Sequence, residues 1–132
     1  MSTRSNKEKM LAGETYNCLD GELEAERRNI KEVVRGYNAT VTVAERRSML
    51  QELLGSIGQN SSIEPPFYCV YWWNIYLGNE VFLNFLCTIL DCAEVRIGDH
   101  VMVGPGVQMY TAAHALQAEA RNQGWEVAKP IT

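Results

Sequence analysis

Three dipeptides, Ile57-Gly58, Leu77-Gly78 and Ile97-Gly98, stand twenty residues apart, and each is followed directly by Gln, Asn or Asp. Such a period suits stacked coils, because every coil must offer the same kind of residue at the same corner. Within each twenty, the aliphatic-like positions step by six, six and eight: Ile57, Ile63, Cys69, then Leu77, Leu83, Ile89, then Ile97, Val103, Met109. Four residues further on lies a second set of inward candidates, Ser61, Val81, Cys87, Ala93, Val101 and Val107, with Phe67 and Trp73 as bulky exceptions. The pattern predicts a mainly-β chain, a parallel β-helix with three short strands per twenty-residue coil. The two surplus residues of the third step bulge one corner. A sandwich would instead alternate simply, with turn signals every 8–12 residues or so. Glycine or a small polar residue at the corner is expected to tolerate backbone angles that branched residues resist.

Up to Gly55 the period is helical instead. Ser5 and Glu8 form a capping box for a helix over "NKEKMLAG", which Gly13 can end. Asp20 caps a second helix, with Leu23, Ile30, Val33, Val34 and Tyr37 near one face. Thr42 and Glu45 start a third, carrying Met49, Leu50, Leu53 and Leu54 and stopping at Gly55. The chain thus divides into a helical segment, 1–55, and a coil segment, 56–132.

Composition narrows the function classes. The net charge of −4 offers no basic stripe for nucleic acid. No apolar run approaches the roughly 20 residues that span a bilayer. The polar start "MSTRSNKEK" lacks a secretory leader's apolar core, so a cytoplasmic location and reduced thiols are expected. Cys18, Cys69, Cys87 and Cys92 show no metal-ligand spacing, and two histidines cannot supply a three-histidine zinc site. No metal is expected.

The ordered segments resemble the maltose/galactoside O-acetyltransferase family of hexapeptide-repeat enzymes: "EKMLAGETY", "YNAT", "ERRSMLQELLGSIG", "IEPPFYCVYWWNIYLG", "FLNF", "TILDCAEVRIGD" and "GPGVQMYTAAHAL". The likeness runs from about residue 7 to the end. It implies a left-handed β-helix, acetyl-CoA as co-substrate, a mono- or disaccharide acceptor and a homotrimer. It also implies roles for residues. His114, in "TAAH", corresponds to the general base, and Asn84, in "LNF", to the amide that holds the reacting acetyl group or its transition state. A sugar hydroxyl is a poor nucleophile until a base near neutral pKa takes its proton. Attack on a thioester then builds an oxyanion that a donor such as Asn84 can stabilise. A loop at about 115–130 is expected to project and help form the site between subunits. Within it Glu126 either binds acceptor or orients His114, and Trp125 either stacks on a sugar ring or anchors the loop. His100, at the "IGDH" corner, reads as structural.

Several positions depart from the family pattern. The carboxylate usual after "GExY" is absent from "YNCLD", leaving Asp20 as the nearest substitute. "VFLNF" places Phe82 where a tyrosine can occur, and "HAL" replaces a His-Pro pair. The resemblance implies further coils after "KPIT", so the chain reads as shortened. Two functions are therefore expected alternatives: a sugar O-acetyltransferase, or a non-catalytic shortened paralogue acting as a binding or oligomer-assembly subunit.

Overall fold

The structure, a computed structural model, describes residues 3–132. Three helices lead, α1 (Asn6–Leu11), α2 (Gly21–Ala39) and α3 (Val43–Leu53), with a two-residue strand, β1 (Tyr16–Asn17), between the first two. The coil follows as β2 (Ser56–Ile57), β3 (Ser62–Ile63), β4 (Phe67–Cys69), β5 (Ile75–Leu77), β6 (Phe82–Leu83), β7 (Cys87–Leu90), β8 (Val95–Ile97), β9 (Met102–Val103) and β10 (Gln108–Tyr110). The chain then adds β11 (Ala112–His114), α4 (Ala118–Asn122) and β12 (Trp125–Ala128).

Nine coil strands form three parallel sheets, β2-β5-β8, β3-β6-β9 and β4-β7-β10, so each coil gives one strand to each face. The register is the twenty-residue period itself: Ile57 opposite Leu77 opposite Ile97, Ile63 opposite Leu83 opposite Val103, Cys69 opposite Ile89 opposite Met109. All nine residues meet in one apolar cluster. Of the second set, Ser61, Phe67, Val81, Cys87 and Ala93 are buried, whereas Val101 and Val107 are exposed. Their coil is the last of the three, and its strands are edge strands among the described residues. Trp73 is also a correction. The indole that enters the core is its neighbour Trp72, turned inward at φ 74° and set against Tyr37 and Phe67 at ring separations of 5.3 and 5.2 Å.

At the corner the unusual backbone angle falls on polar residues, and two of the glycines, Gly58 and Gly78, meet another need. A Cβ on Gly58 would lie 2.4 Å from the backbone of Gly78, and one on Gly78 would lie 2.3 Å from Asp99 Oδ1. Close approach of successive coils is what requires glycine there. The left-handed backbone falls two residues later, on Asn60, Glu80 and His100 at φ 55–61°. There the polar side chains knit the corner. Asn79 Oδ1 accepts from Gln59 N–H, Asp99 Oδ1 accepts from Asn79 N–H, and Asn60 Nδ2 donates to Glu80. His100 belongs to this structural column.

The helices lie over the first coil. Val34 and Tyr37 of α2, Leu50 of α3 and its C-cap Leu54 join the coil's own cluster, with Ile30, Val33, Met49 and Leu53 at its rim. Tyr37 donates its hydroxyl to Ile63 O, and Arg47 donates to the carbonyls of Gly58 and Ser61. The expected caps are present: Ser5 and Glu8 bond reciprocally, Asp20 accepts from Glu22 and Leu23 N–H, and Thr42 accepts from Glu45 N–H. No helix among the described residues is long and apolar enough to cross a membrane.

A fourth sheet stands beside the coil. β12 pairs antiparallel with β1 on one side and β11 on the other. Two short strands from opposite ends of the sequence thus meet at the corner formed by Tyr71, Cys92 and Ala93, over a second apolar cluster that includes Met10, Tyr16, Leu23 and Ala128.

Candidate active site

That fourth sheet carries the histidine of interest. β11 leaves the third coil and ends on His114, and α4 turns the chain back through Gly124 at φ 90° to run β12 alongside. The segment expected to project is thus folded as a short helix and a paired strand. Its pairing places His114 opposite Glu126, and the pairing of β1 places Tyr16 opposite the same Glu126. Directly opposite residues on antiparallel strands share one face, about 4.5–5.5 Å apart at Cβ. The three side chains use that proximity. Tyr16 donates its hydroxyl to Glu126 Oε2 at 2.6 Å, and Glu126 Oε1 lies 3.4 Å from His114 Nδ1.

Burial is graded along this row. Tyr16 is buried, the Glu126 side chain is 10% exposed and the His114 side chain 66%. A carboxylate so enclosed needs partners, and it has them in Tyr16 and His114. Burial, then Glu126, pushes the Cys18 thiol up to about 11. Burial also pushes Cys92 up to about 11. Desolvation first, and Glu126 second, hold Tyr16 far above the usual phenol range, so it remains a donor. With Nδ1 turned to the carboxylate, the imidazole proton belongs on Nδ1 and the Nε2 lone pair is the free one.

Asn84 occupies another place. It follows β6, its backbone N–H donates to Val103 O, and its Oδ1 accepts from Phe85 N–H at 2.8 Å. That contact engages the carbonyl end of the side chain with the backbone, so the donor end, Nδ2, is not the one committed there. Phe82, two residues earlier at the start of β6, is half-buried, while Leu83 between them is buried.

The remaining acceptor candidates do not sit with the His114–Glu126 pair. Asp20 is committed as a helix cap, with Oδ1 accepting from Asn6 Nδ2 and Oδ2 accepting from Glu22 and Leu23 N–H. Trp125 alternates with Glu126 and so faces the other side of the sheet, opposite Asn17. A surface cleft of about 650 Å³ runs between Leu11–Gly13, Trp73, Glu94 and Pro130, and neither His114 nor Glu126 lines it. The sequence reading missed Tyr16 as a site residue. It lies 110 positions from Glu126, and nothing in "GETYNC" announces a strand that will pair there.

Comparison with known proteins follows the same outline. A family model, the maltose acetyltransferase hexapeptide capping motif, matches residues 9–58. Nodulation protein L of Rhizobium leguminosarum bv. viciae is 44% identical over 132 residues, an alignment covering 98% of this chain and 70% of that protein. A maltose O-acetyltransferase from Clostridium difficile 630 superposes with a TM-score of 0.92 at 38% identity, over 98% of this chain and 70% of that one. A hexapeptide-repeat acetyltransferase from Vibrio cholerae O1 biovar eltor, solved in complex with acetyl coenzyme A, superposes at 0.84 and 37% identity, over 96% of this chain and 69% of that one.

Proposed function

The chain belongs to the maltose/galactoside O-acetyltransferase family, and from that premise we propose that it moves an acetyl group from acetyl-CoA to a hydroxyl of a mono- or disaccharide. The observation that carries the reading is the His114–Glu126 pair, a carboxylate on Nδ1 with the imidazole open to solvent. Kinship with the solved acetyltransferases also supports a left-handed sense for the three-sided coil and a homotrimer.

His114 Nε2 takes the proton of the acceptor hydroxyl as the oxygen attacks. Acetyl-CoA, when bound, supplies the acetyl thioester. Asn84 Nδ2, not committed to that backbone contact, suits the acetyl oxygen on which negative charge builds, and one such donor is worth about 10²–10³-fold. Exposed Phe85 and Leu86 beside it suit the apolar part of a pantetheine arm. As the carbon–sulfur bond breaks, the His114 imidazolium returns its proton to the leaving thiolate, which restores the base. Glu126 keeps the Nδ1 proton in place and offsets the imidazolium charge between the two transfers. Because Asn84 follows β6 of the coil and His114 ends β11 of the fourth sheet, a neighbouring subunit's Asn84 completing the site is consistent with the trimer.

The test is release of free CoA thiol from acetyl-CoA with maltose or a galactoside, for the parent and for His114→Ala. Sugar-dependent release that falls about 10²–10⁴-fold in the variant is the expected result. A variant as fast as the parent removes His114 from the role. A folded parent that releases no thiol with either sugar counts against the proposed activity.

A further inference from the structure

We infer that Tyr16 is a positioning residue for the base, holding Glu126 in the rotamer that faces His114 by way of the cross-strand row Tyr16–Glu126–His114. The inference rests on the reading of His114 as general base. Its support is the register. β1, β12 and β11 are paired so that these three residues, drawn from positions 16, 126 and 114, stand abreast on one face of a three-stranded sheet. A slip of one residue would turn the whole row to the opposite face.

The division of Glu126's two oxygens gives the row its sense. Oε2 takes the Tyr16 hydroxyl and Oε1 faces His114 Nδ1. A carboxylate can rotate about its side-chain bonds, and a site on a two-residue strand pair does little by itself to stop it. Tyr16 can stop it because its ring is buried among Met10, Leu23, Tyr71 and Cys92, so its hydroxyl is a donor with a fixed address. The other titratable groups facing this cluster are Cys18, Cys92 and, through the two thiols, Arg27.

Removal of the hydroxyl alone leaves Oε2 enclosed with one donor fewer. The carboxylate, no longer held by Tyr16, then swings toward water, and less negative charge stands at His114 Nδ1. The imidazolium is less stabilised. His114 should therefore titrate at lower pH in Tyr16→Phe than in the parent, and kcat should fall about tenfold, a fraction of what a whole general base supplies, with KM for the acceptor nearly unchanged.

The direct experiment is an NMR pH titration of the His114 ring in the full chain, parent against Tyr16→Phe. The sequence holds two histidines, and a His100→Asn background leaves only the His114 signal. A shift to lower pH in Tyr16→Phe, together with the kcat loss, is expected. An unchanged His114 titration overturns the inference, whatever happens to turnover, because a purely structural Tyr16 would alter stability and leave that titration in place. Glu126→Gln, which keeps the shape but removes the charge, should also lower the His114 titration. If it does not, Glu126 is no link and the row fails. Activity retained by His114→Ala would instead sink the base reading while leaving the titration result intact, so the two failures are distinguishable.

Discussion

Gly58 and Gly98 occupy the same corner of the first and third coils and are under different constraints. A Cβ at Gly58 would sit 2.4 Å from the Gly78 carbonyl carbon and oxygen, atoms that cannot move without shifting a coil, whereas nothing lies within 4 Å of one at Gly98. Gly58→Ala should therefore cost about 1–3 kcal/mol of stability, as overpacking does, and Gly98→Ala about 0.5 kcal/mol or less. Equilibrium urea unfolding of the two variants checks the contrast; equal losses would refute the close-approach account. Which residue type stands at the corner was legible in the sequence. The reason for it was not, because a dipeptide does not reveal how near the next coil passes. The same limit hid Tyr16. A buried phenol beside a carboxylate 110 residues away leaves no local mark.

At the scale of elements, the caps were readable because they are local. Ser5 with Glu8, Asp20 and Thr42 all accept the N–H groups that their spacing predicts. Asp20→Ala should cost about 1 kcal/mol as a lost N-cap. The hydrogen bond from Asn6, with the N–H groups of Leu23 and Glu22, holds the Asp20 carboxyl below its usual range. A carboxyl lowered on folding stabilises the fold above its unfolded pKa, and that contribution fades as pH falls through the folded value. The difference in melting temperature between parent and Asp20→Ala should accordingly shrink on acidification below the ordinary carboxylate range. A difference that stays constant with pH would mean that the cap acts without its charge. The strands β1, β11 and β12 show the opposite case. They are two to four residues long, too short for a pattern, and they exist only because they pair.

Across the whole molecule, helices and coil share one interior. Trp72 is its joint, with Tyr37 of α2 on one side and Phe67 of β4 on the other. Trp72→Ala should cost about 3–5 kcal/mol. Far-UV signals of helix and sheet should still be lost together, since Val34, Leu50, Ile63 and Leu83 belong to the same cluster. Helices that melted well before the sheet signal would divide the fold into separate units and contradict a shared core.

The twenty-residue period by itself determined the coil: three faces, the residue that heads each inward stack, and their register. It could do so because a solenoid repeats one local rule, and every repeat of that rule is written in the chain. The histidine at the end of the run was singled out by its motif. What only the tertiary structure decided is its company. Glu126 beside Nδ1, Tyr16 behind Glu126, Trp125 on the far side of the sheet and Asn84 on another face all depend on antiparallel pairing between segments far apart in sequence. Such pairing is selected by burial and hydrogen bonding in the assembled fold, and no local period encodes it.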